Sequence, residues 1–507
     1  MEKNIVVDTK LGKVRGYRTR GVLKFKGIPY AAPPVGELRF SPPAPKEPWN
    51  GVLDATEYGP IAPQPPSVLL AMFGGKVKQS EDDCLTVNVW RPETDQDNLP
   101  VMVWIHGGAF VTGSGADLDG ARLAFRGNVV IVSVNYRLGV LGFFYMPGKT
   151  ANVGLLDQVA ALKWVKDNIN AFGGDPNNVT IFGESAGSVS VCTLMAMPSA
   201  KGLFQRVIAQ SGACHPMFYN NSRRKEASDQ VQSKLNIKEG NIAALRKVPV
   251  DELIKADPTN KAIQSGSTFA SDAPTVGPVV DGSSLPEHPL KAIGKGYAKD
   301  IELLIGTNQD EIKLWTALNP NAPKVDESKM LKSTTNLMRS LGQDENKAKQ
   351  MINIYQQARD GKESTAPQDI VDAYLTDFAF RIPSIRLAEV QHVHQPNTYM
   401  YLFSWKLQMP GGIKGAIHAL ELPFVFGLLS EKAIGIFPSK SEETEAISTK
   451  MMDSWTSFAR TGNPNHNSIP EWPLYDVEKR STMLFGKEIK VVNGPLDEER
   501  AAWEDIL

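Results

Sequence analysis

Apolar and polar positions alternate from residue 4 to 30, broken by Gly12, Gly16 and Gly21, which predicts short antiparallel strands joined by tight turns. The stretch from Pro29 to Pro66 is too proline-dense for a helix or a central strand. It reads as an ordered surface loop anchored by Phe40, Trp49 and Leu53. Residues 85–90 alternate again and predict another strand. The pattern then changes to near-continuous apolar runs at 101–105 and 129–134, as expected of strands buried on both faces. Leu155, Leu156, Val159, Leu162, Val165 and Ile169 follow helical spacing, and Gly173-Gly174 ends that helix. Further strands are predicted at 179–183, 206–210, 301–306 and 399–405, and a late helix from Met451 to Arg460. Between them, residues 220–295 and 320–395 turn polar and helical. The alternation predicts an α/β chain with a central, mostly parallel, twisted sheet. Residues 1–507 read as a single domain whose two helical insertions form a cap.

Composition narrows the field of functions. Of 507 residues, 42% are hydrophobic and 22% charged, which is ample for a large core. Lys plus Arg number 55 against 56 for Asp plus Glu, so no net field favours nucleic acid or an acidic membrane surface. No apolar run approaches the length of a membrane span. Cys84, Cys192 and Cys214 are odd in number and lack ligand spacing, so neither a metal site nor a disulfide framework is expected. The first residues lack the apolar core of a signal peptide, which, for a natural start, predicts a cytoplasmic protein.

Candidate chemistry begins at Gly183-Glu184-Ser185-Ala186-Gly187, a G-x-S-x-G pattern between an apolar strand and a small-residue helical run. A strand, a tight turn and a helix in that order make a nucleophile elbow, the hallmark of an α/β-hydrolase fold. The glycines are required because a Cβ at either place would meet the neighbouring strand or helix. Serine needs a base to remove its proton during attack. In such a fold the partners follow as Ser, acid, His, each after a later strand. Of seven histidines, His106 precedes the serine, His392 and His394 lie in a charged helical run, and His466 sits in a polar turn. His418 follows the 399–405 strand across Pro410-Gly411-Gly412 and is the candidate base. Strand 301–306 leads into Asp310-Glu311, and order alone leaves both open as the acid that orients the imidazole. His106-Gly107-Gly108-Ala109-Phe110 follows the 101–105 strand, where an oxyanion loop belongs. Gly107, Gly108 and, from the elbow, Ala186 are the candidate backbone donors.

These parts together resemble a type-B carboxylesterase of the cholinesterase–carboxylesterase family, with greatest similarity to the bacterial p-nitrobenzyl esterases. The resemblance is carried by Phe25-Lys26-Gly27-Ile28-Pro29-Tyr30-Ala31, Ser80-Glu81-Asp82-Asp83-Cys84-Leu85, Asn135-Tyr136-Arg137-Leu138-Gly139 and Phe172-Gly173-Gly174-Asp175-Pro176. The elbow and the stretch from His418 to Gly427 complete it. It implies that Glu311 is the acid and that Glu184 and Glu421 are buried supporting carboxylates. It also implies ion pairs Arg39–Glu81 and Arg137–Asp175, and an oxyanion loop that accepts bulky or tertiary alcohol parts. Two departures stand out. Ile312 replaces the family's usual Gly after the acid, and Cys84 has no earlier cysteine to pair with, so it should be a free buried thiol.

The reading is a serine carboxylic-ester hydrolase working through an acyl-enzyme on small to medium uncharged aryl and alkyl esters, with no metal or other cofactor. Ala109, Phe110, Val189, Leu314, Trp315 and Phe424 are candidates for the pocket lining. Activity is expected to rise with pH through roughly 6.5, the ordinary histidine value. A monomer is expected, with a weak homodimer as the alternative. The rival readings are a non-catalytic binding protein on the same fold, or an amidase or carbamate hydrolase using the same triad.

Overall fold

The apolar runs become the middle of a large sheet because both of their faces are covered. The computed structural model describes residues 2–66, 78–260, 275–318, 324–408, 414–430 and 438–507, so the loop Pro410-Gly411-Gly412 lies outside the described residues, as do parts of both helical insertions. The strands are β1 (Glu2–Thr9), β2 (Gly12–Thr19), β3 (Val22–Pro29), β4 (Val52–Asp54), β5 (Thr86–Pro92), β6 (Leu99–Ile105) and β7 (Val130–Val134). They continue with β8 (Gly174–Glu184), β9 (Arg206–Gln210), β10 (Glu302–Asn308), β11 (Thr398–Phe403), β12 (Leu407–Gln408), β13 (Lys414–Gly415), β14 (Ser481–Phe485) and β15 (Ile489–Asn493).

Thirteen of these join one sheet in the order β1-β2-β3-β5-β7-β6-β8-β9-β10-β11-β14-β15, with β4 added beside β2, while β12 and β13 form a separate pair. From β7 through β14 every pairing is parallel, whereas β1, β2, β3 and β5 run antiparallel to their neighbours up to β7. The parallel strands therefore present all their C-terminal ends along one edge, which is where an open α/β sheet binds its ligand.

Helix Val153–Asn168 stops where expected, through a short 3₁₀ turn and Gly173 at φ 74°. The late helix is longer than its apolar spacing suggested and spans Glu442–Thr461. Its polar first turns are held by a capping box between Ser441 and Thr444, and Gly462 ends it at φ 77°. Its aromatic side meets β11, with Trp455 5.1 Å from Tyr401 and Phe458 6.2 Å from Tyr399. Strands β4, β14 and β15 were not expected. They are short; β14 is buried but carries Ser481 and Thr482 in its five residues, and β4 and β15 are largely unburied, so none leaves a sustained apolar run.

Of the two expected ion pairs, one forms. Arg39 grips Glu81 through Nε at 3.0 Å and Nη2 at 2.5 Å. Arg137 does not reach Asp175. It binds Asp157 instead, with Nε donating to Oδ2 at 2.8 Å and Nη2 to Oδ1 at 2.7 Å. The reason is topological. Arg137 lies just past the C-terminal end of β7, whereas Asp175 lies at the start of the parallel strand β8, so they sit at opposite edges of the sheet. Asp175 caps its own turn, accepting from the Asn177 N–H. Cys84, Cys192 and Cys214 are all buried free thiols.

Because Arg137 and Asp157 are both fully buried, removing one partner strands the other. Arg137→Leu is expected to cost about 3–5 kcal/mol of unfolding free energy. Asp175→Ala should cost at most about 1 kcal/mol. Urea titration of both variants checks the pairing, and equal losses would restore Asp175 as the partner.

Candidate active site

The elbow is built by backbone crowding. Strand β8 ends at Glu184 and helix Ala186–Leu194 starts two residues later, leaving Ser185 at φ 56°, ψ −122°. That region is costly for any residue with a side chain. A Cβ on Gly187 would lie 2.0 Å from the Ile105 carbonyl oxygen, and one on Gly183 would lie 2.6 Å from the Gly187 backbone. Only glycine lets helix, β8 and β6 approach this closely. The Ser185 N–H donates to the Gln210 carbonyl at 2.9 Å, tying the turn to β9.

Facing the serine is the loop after β6. A Cβ on Gly107 would be 3.1 Å from Ser185 Cβ, so its backbone lies directly against the serine. Gly108 at φ 100°, Ala109 at φ 56° and Phe110 at φ 62° give the loop its bend. Val111 and Thr112 N–H both donate to the Gly108 carbonyl at 3.0 Å, and Tyr136 Oη donates to the His106 carbonyl at 2.8 Å. His106 stacks on Tyr136 and bonds the Gly107 carbonyl through Nδ1; burial holds it down to a pKa of about 4, so it stays neutral. Among the described residues, the N–H groups of Gly107, Gly108 and Ala109 have no protein acceptor. Ala186 N–H, at the first turn of its helix, has none within the helix by geometry.

Strand order brings the remaining candidates together. His418 Nδ1 lies 2.7 Å from Glu311 Oε2 and donates to it, and Glu311 Oε1 accepts from the Asn308 N–H at 2.7 Å. Asp310 is occupied elsewhere, pairing with Lys313 at 3.1 Å and accepting from the Ala416 N–H at 3.0 Å. His418 Nε2 lies 3.0 Å from Glu184 Oε1, within ion-pair distance but off hydrogen-bond alignment. Among the described residues no hydrogen bond joins the Ser185 hydroxyl to His418. Such bonds are commonly loose before substrate arrives.

The electrostatics departs from the expectation of an ordinary histidine. Burial works to lower the His418 pKa, but the Glu184 and Glu311 carboxylates override it and hold the imidazole well above its usual value. Glu184 is itself raised by burial, against the pull of His418. Glu421 is raised to about 8, by burial first and then by the Glu184 and Glu311 charges. The imidazole therefore stands above the ordinary value of roughly 6.5, because two buried carboxylates face it.

The pocket candidates separate. The Trp315 ring centroid lies 4.9 Å from that of His418. Val189, one turn into the elbow helix, and Leu314 are buried. Ala109 stays partly exposed on the loop, while Phe110 turns inward to pack on Phe143 at 4.9 Å. Phe424 is fully buried against Phe403 and Trp405, at 5.2 and 5.3 Å. Ile312 is buried, and its N–H donates to Thr376 Oγ1 at 3.2 Å, anchoring the acid loop to the second helical insertion.

Four residues of the site were not anticipated. Phe380 lies 5.0 Å from the His418 ring and comes from a π-helical turn, Asp377–Arg381, inside a helical insertion. Gln210 and Asn308 both donate to the Glu421 carboxylate, at 3.0 and 2.6 Å, and Trp455 Nε1 donates to Gln210 Oε1 at 3.0 Å. The sequence carried a signal for two of them. Gln210 and Asn308 are polar residues that end buried parallel strands, at the edge where sites form.

Known proteins match this arrangement along its length. The model of the carboxylesterase family matches residues 3–503. The para-nitrobenzyl esterase of Bacillus subtilis is 41% identical over 501 residues, covering 98% of this chain and 97% of that protein. The phenmedipham hydrolase of Pseudarthrobacter oxydans is 34% identical, covering 95% of each. A solved thermophilic PNB esterase superposes with a TM-score of 0.86 at 39% identity, covering 99% of this chain and all of its own. A Geobacillus stearothermophilus carboxylesterase structure gives 0.85 at 38% identity, covering 98% of this chain. With that coverage, and with the α/β-hydrolase sheet beneath it, the chain belongs to the carboxylesterase family and is a carboxylic ester hydrolase.

Proposed function

We propose that Ser185 is the nucleophile, His418 the general base and Glu311 the acid that orients it, acting on uncharged aryl and alkyl esters. The observation that carries this reading is the 2.7 Å bond between His418 Nδ1 and Glu311 Oε2 beside the strained serine. With Nδ1–H held by the carboxylate, Nε2 is the nitrogen available to accept the Ser185 proton. The serine oxygen then adds to the ester carbonyl. The negative charge that develops on the carbonyl oxygen falls to the N–H groups of Gly107, Gly108 and Ala186, with Ala109 N–H a further donor on the same loop. Each such donor is worth on the order of 3 kcal/mol in the transition state. His418 returns its proton to the departing alcohol. Water, deprotonated by the same nitrogen, then hydrolyses the acyl-enzyme and releases the acid.

Trp315 and Phe380 flank the imidazole, so the reacting ester meets apolar walls. That favours uncharged substrates, in keeping with relatives named for p-nitrobenzyl ester and phenmedipham hydrolysis. Phe380 comes from the second helical insertion, which supports its role as a cap within a single domain. Partly exposed Ala109 beside the donors supports acceptance of bulky alcohol parts. Three buried free thiols support a reducing, cytoplasmic setting.

Ser185→Ala is expected to abolish the acyl-enzyme burst with p-nitrophenyl acetate and to lower kcat by roughly 10⁵- to 10⁶-fold. Its melting temperature should stay close to the parent's. Turnover at the parental rate would overturn the assignment of the nucleophile.

The pH dependence has a definite sign. A base must be neutral, and a raised pKa keeps His418 protonated longer as pH rises. Activity should therefore climb with pH through a midpoint above the ordinary histidine value of about 6.5. Glu184→Gln removes one of the two carboxylates and should move that midpoint down. A pH–rate profile with an unmoved midpoint would show that Glu184 does not govern the base.

A further inference from the structure

We propose that Asn308 is a positioning residue that ties the loop carrying Glu311 to the loop carrying His418 and so fixes the carboxylate–imidazole contact. This rests on the assignment of Glu311 and His418 as acid and base. Asn308 is fully buried at the last position of β10. Its backbone N–H donates to Glu311 Oε1 at 2.7 Å, leaving Oε2 as the oxygen that meets His418. Its side-chain Nδ2 donates to the carbonyl of Ile417, the residue before His418, at 2.8 Å and to Glu421 Oε2 at 2.6 Å. One residue thus holds the acid with its main chain and the base's loop with its side chain.

The bonds close a ring. It runs from Asn308 N–H to Glu311, across to His418, back one residue to Ile417, and home to Asn308 Nδ2. The Ile417 carbonyl can only accept, which fixes the amide with its nitrogen toward the His418 loop. Glu421 is the second anchor, three residues past His418, and Gln210 holds its other oxygen at 3.0 Å. Gln210 also accepts the Ser185 N–H through its own carbonyl at 2.9 Å. The ring is therefore linked to the serine turn indirectly, through Glu421 and Gln210 of β9.

The side-chain chemistry is specific. An amide supplies two N–H donors, and here they meet a carbonyl and a carboxylate. Aspartate would supply none and would place a further negative charge beside Glu311 and Glu421. Alanine would keep the backbone bond to Glu311 but remove both side-chain ties to the His418 loop, whose Ala419 sits at φ 64°. That loop would then be joined to the acid loop only through Ala416 and Asp310 and through the His418 N–H, 3.3 Å from the Glu311 carbonyl, so the imidazole loosens against Glu311. The acid–base pair then loses alignment, while the pocket walls that bind substrate stay in place.

The test uses the full chain with p-nitrophenyl acetate. kcat and KM are measured across pH for Asn308→Ala, Asn308→Ser and Glu311→Gln, together with the downfield proton resonance of His418 Nδ1–H. Displacing a catalytic group by about 1 Å costs on the order of 100-fold. Folded Asn308→Ala should therefore lose kcat by about that factor with KM within about twofold. Its pH midpoint should fall, because the imidazole is then less well held by Glu311, and the downfield resonance should broaden. Asn308→Ser, which keeps one donor, should lie between alanine and parent. Parental kcat and midpoint in folded Asn308→Ala, with Glu311→Gln inactive, would overturn the inference alone. If Asn308→Ala does not fold, a parental kcat and midpoint in Asn308→Ser overturns it equally. Full activity in Glu311→Gln would instead remove the acid assignment on which the inference stands.

Discussion

The structure depends on how closely three backbones approach one another beneath Ser185. The Ile105 carbonyl ending β6, Gly183 in β8 and Gly187 in the following helix occupy space that a single extra Cβ would fill. This crowding cannot relax without separating β6 from β8, whose parallel pairing runs from Val101 to Ile105. The strain at Ser185 is therefore held by the most buried part of the sheet and not by the turn itself. The same contact places Gly107 against Ser185, so the serine and the loop after β6 are positioned together by one packing constraint.

Around that point the site is assembled from the C-terminal ends of β6, β8, β9, β10 and β11, which parallel pairing brings to one edge. The price is a cluster of buried acids. Glu184 and Glu311 both reach the His418 imidazole, and neutral donors from Asn308 and Gln210 hold Glu311 and, beside it, Glu421. Burial raises Glu184 and Glu421, whereas the carboxylates raise His418. The His418 imidazole is thereby stabilised in its protonated form, the form it would take in the proposed reaction once the serine proton is removed.

Much of the fold was legible because parallel strands buried on both faces leave unbroken apolar runs, as at 101–105 and 129–134. Strand β15 was missed because an edge strand needs only partial burial, and β14 because Ser481 and Thr482 interrupt the apolar run of a buried five-residue strand. The Glu442–Thr461 helix was seen only in its apolar second half, since its first turns are acidic and held by a cap. Arg137 shows the limit of arguing from segments alone. Its partner depends on which end of a strand each residue occupies, and Asp157 on a neighbouring helix was nearer than Asp175.

The sequence by itself determined that Ser185 would sit in a tight turn after β8, Gly107-Gly108 in the loop after β6 and His418 beyond β11, because each stretch needs particular residue types at its place in strand order. It left Asp310 and Glu311 open until family resemblance favoured the second. Tertiary structure separates them physically, since Asp310 is drawn to Lys313 while only Glu311 reaches the imidazole. Tertiary structure alone decided that Phe424 packs on Phe403 and Trp405, that Phe380 flanks His418, and that Asn308 and Gln210 hold Glu421. These depend on side-chain direction at the meeting of distant strands, and no local pattern along the chain encodes it.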